Sequence, residues 1–214
     1  TNAVNTRATI LPNAPTKSRH MIVSTPDRHL VFFGTETTIG DSSTQDDMFI
    51  RFSDQENIDQ SDSYTVTANN TAGTQRLADG SRIMGAVKGR DAIYVWTDTA
   101  LFLMQFVGAP FTFSFQQVGT NCGLIGKNAA VEIDGASYWM SENGFFTYDG
   151  QLKSMPCLVE DFVFDNLNTT ARDLINVGLN NLFGEVTWFY CTGASSVIDR
   201  QVTYNYLDST LKQP

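Results

Sequence analysis

The run Ala92-Ile93-Tyr94-Val95-Trp96-Thr97, Asp98-Thr99, Ala100-Leu101-Phe102-Leu103-Met104-Gln105-Phe106-Val107 sets two short apolar segments on either side of a polar turn. Segments of this length, rich in β-branched and aromatic residues, are strands rather than helices. Gly108-Ala109-Pro110 then leads into Phe111-Thr112-Phe113-Ser114-Phe115, where Phe alternates with small polar residues at the period of two that a half-buried strand shows. The phase of that alternation turns its Phe side chains toward the core. Ahead of the run, residues 82–87 are a further strand candidate, entered through the turn dipeptide Asp79-Gly80. These strands and short turns predict a four-stranded antiparallel meander.

A second such unit follows at once. Residues 128–133, 136–141, 145–148 and 151–155 are strand candidates separated by Asp134-Gly135, Asn143-Gly144 and Asp149-Gly150. Sliding the sequence by 44 residues lays Ala86-Val87 on Ala130-Val131, Tyr94 on Tyr138, Thr97-Asp98 on Ser141-Glu142 and Leu101-Phe102 on Phe145-Phe146. A repeat of roughly 40–45 residues with four strands is the unit of a β-propeller blade, which must stack on neighbours to bury both faces. The fold class is therefore all-β and β-propeller-like, with four-stranded antiparallel blades.

Two less regular blades are expected on either side. Residues 21–24 and 29–33 flank Pro26-Asp27, with residues 48–52 completing that sheet after an excursion over 34–47, and residues 185–191 and 201–207 form a pair near the end. Between the second and last blades, Leu158, Val159, Phe162, Val163 and Leu167 fall at helical spacing between Pro156 and Asn168, a short helical insertion. The organisation expected is an extended segment over 1–20, blades over 21–207 with a long polar loop at 53–80 and an insertion at 158–168, and a truncated segment over 208–214. The chain opens on Thr1 and closes on Leu-Lys-Gln-Pro just after a strand, so it reads as a piece of a longer polypeptide.

Composition narrows the function classes. A chain of 214 residues that is 42% hydrophobic can bury a sizeable core, while charged residues make up only 17% and aromatics 12%, which suits strands and turns better than a helical bundle. Fourteen Lys and Arg against 23 Asp and Glu give a net charge of -9, which argues against recognition of nucleic acid by charge. The longest apolar-rich stretch, residues 100–115, is broken by Gln105, Gly108 and Pro110, and the first twenty residues lack the apolar segment of a signal peptide. Neither stable membrane insertion nor export by that route is expected. Cys122, Cys157 and Cys191 lie more than thirty residues apart, and that scattered, odd count reads as reduced core thiols.

No catalytic, cofactor or metal residue is assigned. The two histidines, His20 and His29, lie beside Arg19 and Arg28 rather than in a recognisable nucleophile motif, and no enzymatic activity is expected. Glu160, Asp161 and Asp165 read as a solvated helix face, since neighbours on a helix do not converge as paired glycosidase carboxylates must. The acidic stretch with Asp41, Asp46, Asp47, Asp54, Glu56, Asp59 and Asp62 lacks the register of a calcium loop and reads as solvated. The 141–148 stretch misses the sialidase S-x-D-x-G-x-T-W hairpin box by one position, with Asn143 where that box has Asp. Gly119, Gly123 and Gly126 lack Walker spacing and read as loops between blades, and Trp96, Trp139 and Trp188 read as core packing.

Several ordered stretches resemble structural tail proteins of tailed bacteriophages. They are Arg51-Phe52-Ser53-Asp54-Gln55-Glu56-Asn57, Val95-Trp96-Thr97-Asp98, Phe113-Ser114-Phe115-Gln116-Gln117-Val118-Gly119 and Cys122-Gly123-Leu124-Ile125-Gly126. Tyr138-Trp139-Met140 with Phe146-Thr147-Tyr148-Asp149-Gly150, and Glu185-Val186-Thr187-Trp188-Phe189-Tyr190 with Tyr204-Asn205-Tyr206, complete the set. Together they cover most of residues 50–207 and are similar to the tail nozzle (tail tubular B-like) group of short-tailed phages. The resemblance implies a virion protein assembled in the host cytoplasm, a ring subunit (commonly six copies) around a channel. It also implies contact with other tail proteins such as the adaptor, and retention and passage of genomic DNA without sequence recognition. The other reading is a propeller that binds a surface glycan or receptor, as part of a tail fibre or an adhesion protein.

Overall fold

The computed structural model describes residues 10–25, 27–208 and 210–212. Among these described residues sixteen strands form four sheets, each of four strands in sequence order. The first sheet is β1 (His20–Val23), β2 (Leu30–Phe33), β3 (Phe49–Phe52) and β4 (Gly73–Arg76). The second is β5 (Ile83–Lys88), β6 (Ile93–Thr97), β7 (Ala100–Gly108) and β8 (Thr112–Thr120). The third is β9 (Ala130–Ile133), β10 (Ala136–Ser141), β11 (Gly144–Tyr148) and β12 (Leu152–Met155). The fourth is β13 (Asn176–Asn180), β14 (Glu185–Tyr190), β15 (Arg200–Asn205) and β16 (Thr210–Lys212). The protein is all-β and β-propeller-like, built of four-stranded antiparallel blades with a short helical insertion.

The chain divides into two compact units. One is the described part of Thr1–Leu77 with Gly108–Thr112 and holds the first sheet; the other, Ala78–Val107 with Phe113–Pro214, holds the remaining three. In the second unit the first strands of successive sheets are nearest neighbours, β9 lying against both β5 and β13. A parallel bridge joins Asn128 to Asn176, with the Val177 amide donating to the Asn128 carbonyl at 3.0 Å. Sheets that meet through their first strands and fan outward are stacked as blades.

Aromatic side chains fill the space between these three sheets. Trp96 of β6 lies 5.4 Å from Trp139 of β10, and Phe145 of β11 lies 5.0 Å from Trp188 of β14. All three tryptophans are fully buried, as the apolar strands around them require. Cys122 and Cys191 are buried free thiols, whereas Cys157 is half-buried. Each large side chain removed from water contributes roughly 1.5–3 kcal/mol, so this aromatic column is a main source of cohesion in the unit.

Turn chemistry holds where the sequence marks it. Asp134 and Gly135 both have positive φ, 51° and 89°, the conformation a two-residue hairpin turn needs between Ile133 and Ala136. Four elements depart from the expectations. β4 lies within 53–80, a stretch read as a loop, because a strand of Gly-Thr-Gln-Arg with three exposed residues gives no apolar signal. β13 is hidden by its Asn and Gly residues, and β16 lies within 208–214. The alternation over 111–115 turns only Phe113 fully inward; Phe111 precedes β8, belongs to the other unit and is 76% exposed. The turn assigned to Pro26-Asp27 lies partly outside the described residues, because Pro26 is not among them.

The helical insertion is α1 (Glu160–Asp165), followed by a 3-10 segment, Thr169–Leu174, capped by the Asn168 side chain accepting from the Thr170 amide at 3.0 Å. Val163 is fully buried and the Phe164 ring sits 5.5 Å from Phe145, so the insertion closes part of the core. Leu158 lies before the helix and is 99% exposed, and Phe162 is 45% exposed. Among the described residues no helix is long and apolar enough to cross a membrane.

Candidate functional site

Within the first unit the two sequence-marked histidines separate. His20 opens β1 and is half-buried. His29, next to β2, is fully buried and sits in a polar chain assembled from residues far apart in sequence. Its Nδ1 lies 2.9 Å from Asp27 Oδ2, which also accepts from the Ser24 hydroxyl at 2.5 Å. Its Nε2 lies 3.1 Å from the Thr71 hydroxyl. Carboxylate, imidazole and hydroxyl thus lie in the order used to activate a nucleophile. The hydroxyl, however, has other bonds: it donates to Asp54 Oδ1 at 2.7 Å and accepts from the Gln55 amide at 2.9 Å. An acceptor so close draws the proton toward Asp54 and holds the oxygen in place, so the chain acts as a clamp joining the β1–β2 turn to residues 54–55 and 71. Spacing concealed it, because Asp54 and Thr71 are brought in from the long connection after β3.

The acidic residues of the first unit do not converge. Asp46 pairs with Arg76 at 2.6 Å, Asp47 with Arg19 at 2.5 Å, Glu56 with Arg28, and Asp41 caps the Ser43 amide at 3.0 Å. Among the described residues no three His, Cys, Asp or Glu side chains group as a metal site. Burial raises the Asp54 pKa, but the amide and hydroxyl of Thr71, the Gln55 amide and the Asn57 side chain outweigh it and hold the carboxyl below its usual range. Glu160 is half-buried while Asp161 and Asp165 are exposed, as a solvated helix face should be.

The second unit carries an open polar cleft of about 360 Å³. Its walls come from the residues just before β5 (Ser81, Arg82), the β6–β7 hairpin (Asp98, Thr99), the β10–β11 hairpin (Glu142) and the 3-10 segment before β13 (Arg172), over the side chains of Met84 and Leu124. These are turns and inter-sheet connections from three successive sheets, gathered at one end of the inner strands. The loop 121–129 holds them together. Cys122 donates its amide to the Thr99 carbonyl at 3.1 Å, Leu124 to Thr97 at 3.0 Å and Ile125 to Met140 at 3.1 Å. Trp139 and Trp188 in turn donate their indole N–H groups to the carbonyls of Cys122 and Ala129, at 2.7 and 2.9 Å.

The cleft balances two guanidinium groups against two carboxylates. Arg172 pairs with Glu142, and its Nε is buried without a hydrogen-bond partner. Arg82 Nε faces the Met84 sulfur at 3.1 Å. Burial raises the Asp98 pKa, but the hydroxyl and amide of Ser81 and the Arg82 amide more than offset it and keep the carboxyl below its usual range. Asp98, Leu124 and Glu142 lie in stretches that the repeat and the resemblance marked, but nothing in the spacing brings them to Arg82 and Arg172; the local signal is the pair Gly123 and Gly126, whose lack of side chains admits close backbone contact.

The fold and cleft define a β-propeller-like protein with a polar recess at one end of its inner strands. No protein-family model matches the chain, and no curated protein matches it. Among solved structures the chain is similar to the N-terminal domain of Nup159, with a TM-score of 0.30 at 12% sequence identity, over 94% of this chain and 61% of that one.

Proposed function

We propose that this chain is a structural subunit of a bacteriophage tail, of the nozzle or tail-tube kind. Copies of it form a ring around the DNA channel and serve genome retention and delivery rather than catalysis. The observation that carries the reading is the ordered set of stretches over residues 50–207 that resembles such proteins. The charge balance supports it: a net charge of -9 gives a channel wall that repels phosphates, so duplex slides past instead of being gripped. Blades locked by buried aromatic contacts suit a part that bears load without changing shape. Its partners on this reading are further copies of itself, with six expected, the neighbouring adaptor and the passing genome, within the virion tail.

Negative-stain imaging of the purified protein, alone and mixed with the neighbouring tail components, tests the proposal. Closed rings with a central channel are expected. Monomers alone, under every mixing condition, would remove the ring-subunit reading. The second reading, a propeller that binds a surface glycan, is favoured by the cleft lined by Arg82 and Arg172.

A further inference from the structure

We propose that this cleft is a binding site for an acidic sugar of the uronate class. Its recess of about 360 Å³ falls within the range of small-ligand pockets, so it admits a saccharide and not a folded partner. The choice of ligand follows from charge. Arg82 turns its Nε to the Met84 sulfur and keeps its terminal N–H groups for a carboxylate. Arg172, whose buried Nε lacks a partner, shares the cleft wall with its ion-pair partner Glu142 and can exchange that carboxylate for a ligand's. Asp98 and Glu142 stand in the same walls as acceptors. A phosphate or an acidic peptide side chain would satisfy the arginines while facing two carboxylates with no donor of its own. A neutral sugar would satisfy the carboxylates but bring no anion to Arg82. A uronate carries both parts: its carboxylate meets Arg172 and Arg82, and its hydroxyls donate to Glu142 and Asp98, each carboxylate having about four acceptor positions. Glu142 is half-exposed and sits on a hairpin tip, so it can shift from Arg172 as the ligand carboxylate enters.

This inference rests on the glycan-binding reading of the cleft and stands apart from the tail-subunit one, because it concerns a site within one chain and is tested without assembly. Glucuronate is titrated into the 214-residue protein labelled with ¹⁵N, with glucose and glutamate as parallel probes. The expected result is saturable shifts confined to Ser81, Arg82, Thr99 and the Arg172 Nε–H, tighter for glucuronate than for either other probe by at least fivefold. Arg172→Met and Arg82→Met are each expected to weaken glucuronate at least tenfold while the backbone spectrum elsewhere is unchanged. Should either variant fail to fold, the wild-type shift of the Arg172 Nε–H under glucuronate remains decisive. Equal binding of glutamate would assign the cleft to carboxylates in general and overturn the sugar. Absence of saturable shifts, or shifts outside the cleft, would overturn the site.

Discussion

Gly123 has no room for a side chain: a Cβ there would stand 2.2 Å from both the carbonyl carbon and the oxygen of Asp98. The obstacle is backbone and cannot rotate aside, so Gly123→Ala must push the loop off the β6–β7 hairpin. A loss of about 1–3 kcal/mol is expected, read as a lower urea midpoint with an unchanged slope. Wild-type stability in Gly123→Ala would show that the loop is not pressed there. Phe113 tests the strand phase. It is 5% exposed, with its ring 5.8 Å from Phe106, so Phe113→Asp places a charge in apolar surroundings. That costs several kcal/mol, about 3–5 by the measure of other broken buried charges, and soluble, cooperatively melting protein is not expected. Cooperative melting of the Asp variant would place this strand face outward. At this scale the sequence was informative where a residue type has one stable surrounding, as for the three tryptophans. It was silent where a residue's role depends on partners far along the chain, as for His29 with Thr71 or Arg172 with Glu142.

Among the elements, the connections around the first sheet depend on buried carboxylates. Glu36 is fully buried and accepts from the Thr16 hydroxyl, the Thr16 amide at 3.2 Å and the Gly40 amide at 2.8 Å. Burial raises its pKa, but these bonds outweigh it, and the native value falls below the ordinary 4.5; Asp46 and Asp54 are likewise lowered from 3.8. A carboxyl whose native pKa is depressed stabilises the fold above its unfolded value and loses that contribution as pH falls through the native one. Stability measured by urea unfolding should therefore decline as pH drops below about 4.5, with a shallower decline in Glu36→Gln, which should also be weaker at pH 7. Stability that is level or rising between pH 6 and 3 would contradict this.

The helical insertion separates core from surface within one element. Val163 is needed for packing, whereas Leu158 and Phe162 are exposed, so removing the whole insertion would confuse folding with assembly. Leu158→Ser with Phe162→Ser should change stability by no more than about 0.5 kcal/mol each and should reduce ring formation if this surface meets a neighbouring copy. Unchanged rings would remove the insertion from the interface. The two repeats β5–β8 and β9–β12 were legible because Asp79-Gly80 leads into the first, Asp-Gly and Asn-Gly turns divide the second, and the central strands of both are apolar. β4 and β13 were not, because edge or inner strands made of Gly, Thr, Gln and Asn draw their stability from a partner's backbone rather than from their own side chains.

For the whole molecule, the tail reading makes its strongest demand on nucleic acid. Binding of duplex grows with the number of phosphates neutralised, and each such contact is lost as salt rises. Here 14 basic residues face 23 acidic ones. Among the described residues four arginines are paired with carboxylates, Arg19, Arg28 and Arg76 in the first unit and Arg172 in the second, while Lys153 is held by Asp149 at 2.8 Å.

 Those four arginines and Lys153 make five of the 14 cations already neutralised, and the other nine act within a net charge of -9 that repels phosphate. The isolated protein should therefore fail to retain duplex at about 0.15 M salt, where charges more than about 8 Å apart are screened, and should bind only weakly well below it. A filter or gel-shift titration across salt concentration measures this, with a shallow salt slope expected. Incubation with duplex or polysaccharide should leave both intact, since the Thr71 hydroxyl that approaches His29 is held by Asp54. Tight duplex binding at that salt, with a steep slope, would mean that the basic residues act together on one surface, and the sliding-channel reading would fail even if rings form. Rings without duplex binding are the combination that the charge balance and the proposed assembly jointly require, because a wall that gripped the genome would hinder its passage.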